Sequence, residues 1–137
     1  MKKPIEVIAV YYPHWHVYPK GNEWFHPGWT EWEYVKDAVP RFPGHRQPLV
    51  PLGGYLDGAN PADVAKEIDL AANAGIDVFL YDYYWYDGKV TQEEAIEKGF
   101  LGALRVLAQR RQGALHGRGG FRCRRRVRRR GKPGRRR

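Results

Sequence analysis

The sequence predicts an α/β fold in which strand, helix, strand and helix follow one another along the chain. Three observations carry this reading. Residues 5–12 and 76–82 are short, nearly continuous apolar runs with the β-branched and aromatic content of buried strands. Residues 60–75 and 91–107 repeat apolar side chains at helical spacing between start and stop signals. Beyond residue 109 the composition changes abruptly, and the pattern ends there. A βαβα order implies parallel strands joined by right-handed crossovers.

The first strand, IEVIAVYY, is expected to be buried on both faces, and Pro13 ends it. Residues 13–59 are rich in Pro, Gly and Trp and hold four of the five tryptophans: Trp15, Trp24, Trp29 and Trp32. Disordered segments are poor in aromatics, so this long connection reads as ordered and functional. Within it TEWEYVKDAV predicts a short helix with Thr30 as N-cap. The next segment, NPADVAKEIDLAANAG, has Asn60 at the N-cap, Pro61 at the first helical position, Asp63 in the first turn and Gly75 past the end. Val64, Ile68, Ala71 and Ala72 form its apolar stripe. The second strand, IDVFLYD, leads into a loop, YYWYDGK. A helix over 91–107 then follows, with Thr91 and Glu94 as a capping box and Ile96, Phe100, Leu104 and Leu107 on one face. A third strand should come next. The Arg-rich run that occupies its place lacks the apolar content of a buried strand.

The net charge of +9 averages two unlike segments. Residues 1–109 carry 10 basic and 15 acidic side chains, whereas residues 110–137 carry 14 basic and no acidic ones. Seven Lys stand against three Arg in the first segment, and one Lys against thirteen Arg in the second. The tail repels itself and has too little apolar surface to offset chain entropy, so it is expected to be disordered. The domains are expected to divide at 1–103 and 104–137. The lone cysteine, Cys123, excludes a disulfide framework within one chain. No apolar run approaches the roughly 18 residues of a membrane span, and residues 1–15 read as a strand start rather than a leader. The expected location is the cytoplasm.

In a βα architecture, chemistry gathers at the carboxyl ends of strands. There the sequence places Tyr11, Tyr12, His14, Trp15 and His16 after the first strand, and Tyr81 through Asp87 after the second. An aromatic wall dotted with carboxylates suits carbohydrate, since flat rings cover the apolar faces of sugars and acids bind hydroxyls. The same aromatics also suit a core or an interface. Asp82 reads equally as a strand-end cap and as a substrate ligand, and Glu31 equally as part of a Thr30/Glu33 capping box and as a functional carboxylate. His45 in PGHRQP is a loop hydrogen-bonder or a base. His14 and His16 lack a third ligand at a telling spacing, and no metal is expected. No Gly-rich phosphate loop, Ser nucleophile elbow or Cys-based site is present, and no cofactor is expected.

The order YYPHWH, then NEWFHPGWTEWEYVKDAVPRFPGHRQPLVPLGGY, then EIDLAANAGIDVFLYDYYWYDGK, resembles the N-terminal part of the WbsX-type, glycoside hydrolase family 99-like domain over residues 5–103. Family members commonly carry Gln where this chain has His14 and a Trp-Gly-Lys-Gly-like stretch where it has FHPG. The resemblance implies the first two βα units of a (β/α)8 TIM-type barrel acting on glycosidic bonds of cell-surface polysaccharide or lipopolysaccharide, as hydrolase or transferase. A whole barrel takes about 250 residues, and the family's catalytic carboxylates match no residue here. This chain is therefore expected to be inactive by itself. Tyr12, His14, Trp29, Glu31, Trp32, His45, Asp82, Tyr84 and Trp85 are the substrate-binding residues that the motifs imply, with a glycan as partner.

The resemblance fades near Ala103. The abrupt switch from Lys to Arg is what out-of-frame reading of GC-rich codons yields, and residues 104–137 are expected to be such a reading. The alternative is a small basic nucleic-acid-binding protein whose Arg-rich tail contacts polyanions without sequence preference.

Overall fold

The helix with the clearest punctuation organises the fold. A computed structural model describes residues 5–47, 49–86, 88–113 and 122–129. Strand β1 (Ile8–Tyr11) is followed by two short helices, α1 (Pro19–Trp24) and α2 (Trp32–Lys36), and then by α3 (Pro61–Asn73). Asn60 caps α3, its Oδ1 accepting from the Ala62 and Asp63 amides at 2.8 and 3.4 Å. Gly75 takes φ +88° where the chain leaves the helix, and the Ile76 amide returns to the Ala71 carbonyl. The stripe Val64, Ala65, Ile68 and Ala71 is buried against Phe79 and Tyr81 of strand β2 (Val78–Tyr86), and against Phe100 and Ala103. At about 25 cal/mol per Å² of apolar surface removed from water, such a stripe is the main force holding helix to sheet.

β1 runs parallel to β2 in the register Ile8↔Val78 to Tyr11↔Tyr81, as the βα order predicts. Ala9 and Tyr11 pack toward α3, and the Tyr11 hydroxyl donates to the half-buried Glu67 carboxylate of that helix. The expectation that β1 is buried on both faces is corrected: Ile8 and Val10 are exposed. Successive side chains of a strand alternate between faces, and α3 covers the face that carries Ala9 and Tyr11.

β2 continues to Tyr86, so YYWY belongs to the strand and is not a loop. Strand β3 (Lys89–Thr91) folds back on it antiparallel, pairing Tyr84↔Thr91, Trp85↔Val90 and Tyr86↔Lys89. Gly88 at φ +78° makes the tight turn. Thr91 therefore ends a strand and does not cap a helix. The helical segment begins after Glu94, which makes no side-chain cap, with a π-helical stretch (Ala95–Phe100), and continues as α4 (Leu101–Gly113). Close backbone approach accompanies it: a Cβ on Gly99 would overlap the Gly58 carbonyl oxygen. α4 runs through residue 103, and Val106 and Leu107 pack against the core.

The expected disorder of the tail is corrected in part. Arg122–Arg129 forms strand β4, parallel to β2 from Val78↔Arg122 to Trp85↔Arg129. Pairing uses backbone N–H and C=O groups, which every Arg supplies, and the βα order leaves this edge of β2 for a third parallel strand. Residues 104–113 belong to α4, and the remaining tail residues lie outside the described residues. The sheet is thus a small mixed one, ordered β1-β2-β3 with β4 against β2.

One consequence positions the site. β1 and β4 both pair with residues 78–81 of β2, and so take opposite edges. β3 and β4 both pair with Tyr84 and Trp85, which puts β3 on the β1 edge. β1 and β3 therefore point end to end at each other along one side of β2. The residues after Tyr11 meet those after Thr91.

Candidate functional site

Where those two strand ends converge, two short segments face each other in matched pairs. His14 and His16 come from the turn after β1, and Gln92 and Glu94 from the turn after β3. His14 Nδ1 lies 3.4 Å from Gln92 Nε2, and His16 Nε2 lies 3.7 Å from Glu94 Oε2. All four side chains are buried or nearly so. Gln92 holds φ +66°, the one described non-glycine residue in the left-handed region, a backbone state that costs of order 1–3 kcal/mol for a residue with a Cβ.

His14 is the centre of the cluster. Tyr12 stacks on its ring at 3.9 Å and 23°, and Tyr84 meets it edge-on at 4.7 Å and 67°. Glu31, at the start of α2, brings Oε1 to 3.4 Å from Nδ1. The Tyr84 hydroxyl donates to Asp82 Oδ2 at 3.5 Å, and its ring is parallel to that of Tyr86 at 6.1 Å. Three of the cluster's acid–base groups are shifted. Burial, with the nearby His16 adding to it, lowers the His14 pKa to about 4 against the opposing contact with Gln92. Burial raises the Glu31 pKa, opposed by its contact with Tyr12, and burial together with Glu31 raises that of the Tyr12 phenol. His14 is thus neutral near pH 7. His14 Nε2 and Gln92 Oε1 are buried without a hydrogen-bond partner among the described residues. Unmet polar atoms beside exposed aromatic surface suit a ligand rich in hydroxyls.

The structure brings Tyr12, His14, Glu31, Asp82 and Tyr84 into one connected group. The other four expected site residues lie elsewhere. Trp29 is buried in the loop's own aromatic core, stacked on Phe25 at 4.0 Å and edge-on to Tyr34 at 5.6 Å. Gly21 permits this, since a Cβ there would come within 3.1 Å of both Tyr18 and Trp29. Trp32 stacks on Trp15 at 4.0 Å, and its indole N–H donates to the Leu56 carbonyl at 2.7 Å. Trp85 is half-exposed on the hairpin, opposite Val90. His45 sits on a surface turn, stacked flat on Phe42.

Sequence reasoning missed Gln92, Tyr18 and Glu94 as members or neighbours of the cluster. The Asp87-Gly88 dipeptide between alternating aromatic and apolar residues is a hairpin signal, and it would have placed Gln92 beside the first strand. Helix α1 was likewise not expected, although Pro19 at its first position signals it. Among the described residues, no three His, Cys, Asp or Glu side chains converge as a metal site would require.

Comparison with known proteins gives this arrangement a family. The profile of the family described as "Glycosyltransferase WbsX" matches residues 7–101. Two curated relatives, each called uncharacterized protein WxcX, come from Xanthomonas campestris pv. campestris strains B100 and ATCC 33913. Each is 34% identical over 94 residues, covering 68% of this chain and 14% of the relative. The chain spans only that small share of the relatives it matches. No solved structure matches it. This chain belongs to the WbsX family, whose description names a glycosyltransferase. Among the described residues, no helix is long and apolar enough to cross a membrane.

Proposed function

We propose that this member of the WbsX family carries one wall of a glycan-binding site in a carbohydrate-active enzyme that makes or breaks glycosidic bonds of a cell-surface polysaccharide or lipopolysaccharide. The observation that supports this most is the His14 cluster. Tyr12 and Tyr84 present ring faces and edges beside Glu31 and Asp82, at the end of β1 where β2 runs past it. Rings of this kind cover the C–H faces of a sugar, and the carboxylates accept from its hydroxyls. A neutral imidazole with an unmet Nε2 supplies one further hydrogen bond at pH 7.

In this reading the two βα units belong to a (β/α)8 barrel of the glycoside hydrolase family 99-like type. Residues 104–137 are an out-of-frame extension, and this chain by itself binds glycan without turning it over. Bond cleavage or formation needs acid and base groups on both sides of the anomeric carbon, and we assign that pair to none of its residues.

Retention of the purified chain on immobilised bacterial surface polysaccharide tests the binding role. Wild type should be retarded and Tyr84→Ala should elute with the void. Equal elution of the two would contradict the proposal. Turnover of a glycoside by the purified chain would contradict its inactivity.

A further inference from the structure

Outside the His14 cluster, the residues from Asp37 to Gln47 enclose a concavity of about 320 Å³, lined by Asp37, Ala38, Val39, Arg41, His45 and Gln47. That is the lower end of the size range of small-ligand pockets. Its wall is pre-built by local chemistry. Pro43 and Gly44 occupy the centre of a tight turn in which the His45 amide donates to the Phe42 carbonyl at 3.1 Å. Gly44 holds φ +84°, as the third position of a type II turn requires. The Gln47 amide donates to the His45 carbonyl at 3.0 Å and tightens the exit.

His45 is fixed twice within this turn. Its ring lies nearly parallel to that of Phe42, 4.6 Å between centroids and 6° between planes. The Arg41 backbone N–H donates to His45 Nδ1 at 3.1 Å. That bond requires a lone pair on Nδ1, so the ring proton sits on Nε2, on the far side of the ring. A donor of set tautomer and set plane therefore lines the concavity. Arg41 adds a guanidinium that no described side chain pairs with, and Asp37 and Gln47 add acceptors. A guanidinium beside a fixed N–H matches a carboxylate, while Asp37 can accept only from a hydroxyl or an amine.

We propose that this turn is a second sugar subsite, one that selects a carboxylate-bearing sugar of the uronic acid class. Arg41 and the Nε2–H of His45 donate to the carboxylate, and Asp37 and Gln47 meet the ring hydroxyls. The choice of a sugar rests on the glycan reading of the chain; the choice of an acidic one rests on Arg41 and His45.

The test is an NMR titration of the full chain with D-glucuronate and, separately, with D-glucose, following the imidazole signals of His45 and His14 and the ring of Tyr84. Glucuronate should move His45 saturably, at roughly tenfold or greater affinity than glucose, the value of one charge-assisted hydrogen bond. Arg41→Gln, an exposed change outside the core, should erase that preference, and high salt should weaken it. Equal response of His45 to both sugars, or none, overturns the subsite. Movement of His14 and Tyr84 alone overturns it while leaving the glycan wall intact, whereas movement of His45 alone does the reverse.

Discussion

Gln92 Nε2 stands 3.4 Å from His14 Nδ1, although 78 positions separate the two residues in sequence. The contact exists because β1 and β3 meet end to end along the same side of β2. It ties the strained turn after β3 to the buried histidine at the centre of the candidate site.

That strain makes the first prediction. At φ +66° glycine is at ease and alanine is not. Gln92→Gly and Gln92→Ala both lose the side-chain contact, but only the glycine relieves the backbone. The glycine variant should be more stable than the alanine variant by about 1 kcal/mol in denaturant unfolding. The reverse order would mean that the left-handed conformation is not held in solution.

The second prediction concerns pH. Burial lowers the His14 pKa to about 4, below its ordinary value of 6.5. Between those values the unfolded chain binds a proton there that the folded chain does not. His14 therefore contributes stability above about pH 6.5 that is lost as pH falls toward 4. The raised pKa of Glu31 acts in the opposite sense, its contribution growing on acidification. Buried His16 faces Glu94, and its pKa is lowered by burial against that carboxylate. Melting temperatures taken from pH 7 down to 4 should fall less steeply in His14→Gln than in wild type. Parallel curves would show that His14 titrates normally.

A third prediction follows from the approach of Gly99 to Gly58. A Cβ on Gly99 would overlap the Gly58 carbonyl oxygen, which is backbone and cannot swing aside. Gly99→Ala should cost about 1–3 kcal/mol as overpacking, even though alanine is the better helix former. A neutral or stabilising result in chemical denaturation would refute the close contact of the π-helical stretch with the Gly58 loop.

The cap on α3 supplies a fourth. Asn60→Ala removes the acceptor for the Ala62 and Asp63 amides and should cost about 1 kcal/mol, while Asn60→Gly should cost only a few tenths. Thermal unfolding of the three chains checks the order. No loss in Asn60→Ala would contradict the capping role of the side chain.

The legible parts of this fold were those set by local chemistry. Asn60, Pro61 and Gly75 mark α3 because capping is decided within a few residues. The parallel β1–β2 pairing follows from the βα order. What could not be read were features decided by distant partners. Thr91 and Glu94 have the spacing of a capping box, but pairing of Thr91 with Tyr84 won, and the helix starts later. The alternation of exposed Ile8 and Val10 with inward Ala9 and Tyr11 is invisible in a run that is apolar throughout. At the site, Tyr12, His14, Glu31, Asp82 and Tyr84 were legible because strand ends gather chemistry. Gln92 was not, since its place depends on the hairpin and on a backbone angle that residue identity does not announce. Trp29 and Trp32 have the same composition signal as a sugar platform, yet they pack inside their own loop.

The central claim is that Tyr12, His14, Glu31 and Tyr84 form a wall that binds glycan. The most direct measurement is an NMR titration of the isotope-labelled chain with oligosaccharides from a bacterial surface polysaccharide, observing the His14 imidazole and the Tyr12 and Tyr84 rings. The account predicts saturable shifts at all three that vanish in Tyr84→Ala. Saturable binding that leaves His14 and both tyrosines unmoved, or no binding at any concentration, would contradict it.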